Sequence, residues 1–170
     1  MKKGVVATPS TIMSDPLATY LHDHLSGARG ALDLLETMRE RHGGEPLGRF
    51  AAELLPLVEE DRQVLIELAE ELGTESNPLK EAGAWLGEKA SRVKFRHGAD
   101  DGLGTLMALE TLALGILGKR ALWKALQNSS GDDRRLQGVD FDRLIARAES
   151  QHEMTEERRL QHARTVFRGR

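Results

Sequence analysis

Apolar residues recur three and four positions apart along most of this chain, the spacing that lines one side of an α-helix. The first run is Leu17, Leu21, Leu25, Ala28, Leu32, Leu35 and Met38, with His24 at its edge. Asp15 and Pro16 supply an N-cap and a first helical residue, and Gly43 and Gly44 end the helix near Arg41. A second helix restarts at Glu45 and Pro46 and runs to about Leu72, with Leu47, Phe50, Leu54, Val58, Leu65, Leu68 and Leu72 inward. Asp61 takes the step between Val58 and Leu65, so a carboxylate stands in the seam. Pro56 removes one ladder bond inside the same helix and predicts a kink.

Asn77 and Pro78 open a third, shorter helix with Leu79, Ala82, Leu86, Ala90 and Val93 inward, Trp85 beside them, and Gly83 and Gly87 one turn apart. A fourth, capped by Asp100 and Asp101, reaches about Leu126. Its predicted inner face is Leu103, Leu106, Met107, Ala113, Leu114, Leu117 and Ala121, with Glu110 at the centre. After a polar loop from Gln127 to Gly138, Asp140 caps a last helix from Phe141 to Phe167. Phe141, Leu144, Ile145, Ala148, Thr155 and Val166 form its stripe, which His152 and Arg159 interrupt. The link between the first two helices is so short that they must be antiparallel. The pattern therefore predicts an all-α chain: an antiparallel four-helix bundle with an extra short helix between its second and third long helices.

Composition narrows this picture without changing it. The chain has 170 residues, enough for one core, so residues 15–170 are expected to form a single helical-bundle domain behind a flexible leader, 1–14. Aromatics are only 4% of it, which suits helices packed on helices. Cysteine is absent, excluding thiolate metal sites, disulfides and a cysteine nucleophile. A net charge of −3 lacks the basic excess of a nucleic-acid binder, so no nucleic-acid partner is expected. No stretch reads as a membrane span or a secretory signal, and a cytoplasmic location is expected. No nucleophile elbow, phosphate-binding loop or dinucleotide fingerprint is present.

The candidate chemistry lies in the interrupted stripes. In an antiparallel pair, His24 and Asp61 come about one turn, roughly 5 Å, apart along the axis, and so do Glu110 and His152. Glu149 lies one turn before His152, side by side with it. Charged groups in a dry seam cost several kcal/mol each unless paired, hydrogen-bonded or metal-bound. Two explanations fit. One is a divalent-metal site of His24, Asp61, Glu110, Glu149 and His152, whose oxygen and imidazole donors suit Fe, Mn or Zn. The other is a structural salt-bridge network in which Arg62 and Arg159 neutralise the carboxylates, with no cofactor.

Long helices, a helix-containing connection, a central Glu110 and the Glu149–His152 pair together resemble the ferritin-like superfamily, over roughly Pro16 to Phe167. Its diiron members take a glutamate from the first and third bundle helices and a glutamate–histidine pair, three apart, from the second and fourth. Carried over, Glu110 matches the third-helix glutamate, and Glu149 with His152 the last pair. In the first half, His24 stands in place of a glutamate, and Glu59, Glu60 and Asp61 have no histidine three residues on. The resemblance thus implies a ferritin-like bundle with an altered or vestigial metal site. The competing expectation is a non-enzymatic interaction protein, self-associating as a dimer or larger through surfaces such as Gly83, Trp85 and Gly87.

Overall fold

A computed structural model describes residues 15–71 and 102–168, and among these every regular element is helical. Four long helices, α1 (Pro16–Arg41), α2 (Pro46–Glu71), α3 (Gly102–Ser129) and α4 (Phe141–Phe167), are joined by one 3-10 turn at Arg134–Leu136 before α4. The expected short helix at 78–93, with Gly83, Trp85 and Gly87, and the leader 1–14 lie outside the described residues.

The helix starts follow from local chemistry. Asp15 Oδ1 accepts from the Leu17 amide at 3.0 Å, and Asp140 Oδ1 from the Arg143 amide at 3.0 Å, each satisfying an amide that the first turn leaves unpaired. The α1–α2 turn closes through the Glu45 amide on the His42 carbonyl, 3.0 Å, with Gly44 at φ +82°, a conformation glycine adopts without strain. Gly48 is needed for proximity: a Cβ there would run into the His42 carbonyl. α2 continues through Pro56 as one helix.

Packing divides the core into two apolar clusters. One joins Leu21 and Leu25 of α1, Leu65, Leu68 and Ala69 of α2, Leu122, Trp123 and Leu126 of α3, and Phe141, Leu144 and Ala148 of α4, with Leu136 of the 3-10 turn sealing it. The other joins Leu32, Leu35 and Met38 to Leu47, Phe50, Leu54 and Val58, and to Leu109, Leu112 and Ile116. The residue numbers fix the directions: the start of α1 meets the end of α2, and the end of α3 meets the start of α4. α2 and α3 run the same way, so residues 72–101 join opposite ends of the molecule.

The inward faces of α1 and α2 match those expected, with Asp61 only 1% exposed. α3 is turned away from the predicted orientation. Leu106 and Ala113 are buried as expected, but Leu109, Leu112, Ile116, Trp123 and Leu126 also face inward, whereas Leu103, Met107, Leu114, Leu117 and Ala121 are exposed, and Glu110 with them. α3 is also long and apolar enough to cross a membrane by length and composition, in contrast to the expectation of no such stretch, although a third of that window is buried in this fold.

Candidate functional site

Between the two clusters lies a layer of polar side chains, one from each of three helices. On α2, Asp61 falls between Val58 of one cluster and Leu65 of the other; on α3, Lys119 falls between Ile116 and Leu122. Gln151, 2% exposed, follows Ala148 by three residues on α4. Each occupies a position that heptad-like spacing would give to an apolar residue, so the helices that build the core also bring these three together.

The Lys119 ammonium donates to Asp61 Oδ2 at 2.5 Å and to Gln151 Oε1. Gln151 Nε2 donates to the same Asp61 oxygen at 2.9 Å and to the Leu57 carbonyl at 3.3 Å. Arg147, one turn before Gln151, places Nη2 2.9 Å from Asp61 Oδ1 and 2.9 Å from Glu60 Oε2 at the rim. The Oδ1 contact has ion-pair distance without hydrogen-bond alignment. One buried carboxylate therefore meets two cations. Burial pulls the pKa of Lys119 below its ordinary value, outweighing the opposing attraction of Asp61, and nearby Arg147 adds to the lowering.

α1 contributes little bulk at this level. Gly27, Ala28 and Ala31 face Asp61, Arg62, Gly115 and Lys119 across a cleft of about 80 Å³, walled by Val58, Leu65 and Ile116. His24 lines the same cleft, its ring edge-on to Tyr20 with centroids 4.8 Å apart. Burial lowers the His24 pKa, outweighing the raising effect of Asp23, so its neutral form is favoured.

Of the five residues expected to converge, His24 and Asp61 share this cleft, and the others stand apart from it. Glu110 is 60% exposed and has Arg159 Nη1 at 3.6 Å. Glu149, also exposed, accepts from Arg120 Nε at 2.7 Å, and His152 is half-buried. Arg159 is held chiefly by Glu156, whose pKa it lowers by hydrogen bonding. Arg62 pairs with Glu59 at 2.9 Å, so the cations that meet Asp61 are Lys119 and Arg147 instead. Among the described residues, no three His, Asp or Glu side chains are grouped to hold a metal ion. Around Asp61, ammonium, guanidinium and amide N–H groups occupy contacts that a metal's oxygen and imidazole ligands would use, and His24 is the imidazole that shares its cleft.

Lys119 and Gln151 were missed in the sequence although both carry a signal. The series 109, 112, 116, 119, 123, 126 and the series 141, 144, 148, 151, 155 each alternate steps of three and four; Lys119 is the polar exception in the first, and Gln151 with Thr155 in the second. No protein-family model, curated protein or solved structure matches this chain.

Proposed function

We propose that this chain is a non-enzymatic interaction protein built as a ferritin-like four-helix bundle, in which a structural charge network occupies the mid-level of the core. The carrying observation is Lys119 on Asp61: a side-chain cation, backed by Arg147, neutralises the one deeply buried carboxylate among the described residues. The ferritin-like reading is supported by direction, since α2 and α3 are parallel and their connection must cross the length of the molecule, as in bundles with one long crossover. In this reading the layer fixes helix register, because sliding α2 or α3 by one turn would strand a charge in an apolar cluster. The rigid bundle then presents its outer faces to a second copy or another partner.

Metal analysis tests the proposal. Protein purified without chelator is expected to carry no stoichiometric Fe, Mn or Zn and to show no melting shift when any of them is added. Stoichiometric metal whose loss follows Asp61→Asn would overturn it and favour the second reading, an altered site built on His24 and Asp61, which the shared cleft and the favoured neutral imidazole support.

A further inference from the structure

The outer face of α3 carries four exposed apolar side chains around one charged residue, Glu110, which Arg159 of α4 reaches at 3.6 Å. Leu103, Met107, Leu114 and Leu117 are 37%, 39%, 63% and 39% exposed, and they follow one another along the side of α3 opposite Leu109, Ile116 and Trp123. An exposed apolar stripe of this kind, interrupted only by Glu110, marks a surface that something covers.

We propose that residues 79–93 of this same chain are its occupant. Three observations converge on that segment. It belongs to the stretch 72–101, which leaves the end of α2 and enters the start of α3; those ends lie at opposite poles of the molecule, so this stretch must travel the length of α3 in the reverse direction. Its sequence repeats Leu79, Ala82, Leu86, Ala90 and Val93 at helical spacing, a stripe with no other assigned partner. The lengths agree: Leu79 to Val93 and Leu103 to Leu117 are both fourteen steps, about 21 Å of helix. Antiparallel pairing sets Leu79 level with Leu117, Ala82 with Leu114, Val93 with Leu103 and Leu86 with Glu110, whose carboxylate is drawn to the α4 side by Arg159 at 3.6 Å. The flanks suffice for the path, because 72–78 and 94–101 each reach more than 20 Å when extended, at roughly 3.3 Å per residue. Being tethered at both ends, the segment meets the stripe at an effective concentration that a second copy matches only near millimolar levels. This inference is independent of the role given to Asp61 and Lys119.

Hydrogen exchange read by mass spectrometry on the full chain tests it. Amides of 79–93 are expected to exchange at least tenfold more slowly than an unstructured peptide, and Leu114→Asp should abolish that protection while α1 and α2 keep theirs. Full exchange of 79–93 in the wild type, or protection that Leu114→Asp leaves intact, would overturn the assignment. A dimer in light scattering that Leu114→Asp dissociates, with 79–93 unprotected, would overturn it in favour of a second copy. Should Leu114→Asp fail to fold, the cysteine-free chain allows Ala82→Cys with Leu114→Cys: an intramolecular disulfide supports the pairing, and intermolecular bonding or none contradicts it.

Discussion

Replacing Lys119 by Met removes the cation from Asp61 while keeping most of the side-chain volume. The side chains of the pair are 13% and 1% exposed, so solvent screens little of their interaction. Removing one partner of a buried pair typically costs about 3–5 kcal/mol. Arg147 remains on Oδ1 and the Gln151 amide on Oδ2, which places the expected loss near the lower end, about 3 kcal/mol. For a chain of this size that lowers Tm by roughly 6–12 °C. Asp61→Leu alone strands Lys119 among apolar side chains and should cost a similar amount. The double variant leaves neither charge stranded, and apolar replacement of a buried pair is often neutral or stabilising. Its loss should therefore be smaller than that of either single variant. Urea unfolding followed by circular dichroism gives all three values. A loss below about 1 kcal/mol for Lys119→Met, the range of an exposed ion pair, or a double variant that loses the sum of both, would refute the reasoning.

The orientation of α3 predicts that Leu109→Ala, at a fully buried site, costs about 2–5 kcal/mol, while Glu110→Ala costs under about 1 kcal/mol, measured by the same unfolding experiment. Gly48→Ala should destabilise the α1–α2 turn by at least the roughly 1–3 kcal/mol of an overpacked core, because the obstacle is the His42 backbone; thermal melts report it. At low pH, Asp15 and Asp133 matter. Arg135 hydrogen-bonds both and holds both carboxyls below their ordinary values, so the folded state takes up protons less readily than the unfolded one. Their contribution is fully present above the usual carboxylate range and is lost as pH falls through the lowered folded values. Urea midpoints measured from pH 6 to pH 2 should fall less steeply in Asp15→Asn than in the wild type, and identical slopes would contradict this.

The start and end of α1 were legible because its caps and breakers are local: Asp15 with Pro16, and Gly43 with Gly44, act within a turn of the boundary. Asp61 was legible for a related reason, standing alone in an otherwise apolar series. α3 was not, because it is apolar nearly all round. Leu103, Met107, Leu114 and Leu117 make as good a stripe as Leu109, Leu112, Ile116 and Trp123, and periodicity cannot choose between two apolar sides. Taking the wrong side put Glu110 inward and hid Lys119, and the expected charge partners of Asp61 changed with it. Gln151 and His152 are neighbours in sequence but about 100° apart around the helix, and only Gln151 lies on the line of Ala148 and Thr155. Leu136 sits in a loop too short for any periodic signal, and only tertiary packing makes it core.

Nitrogen-15 NMR of the lysine ammonium groups probes the central claim most directly. With Lys119 held inside by Asp61 and Gln151, one ammonium signal should exchange its protons with water far more slowly than those of surface lysines. That signal should vanish in Lys119→Met and broaden in Asp61→Asn. If every lysine exchanges rapidly, or the slow signal survives Lys119→Met, the core is not locked by this pair.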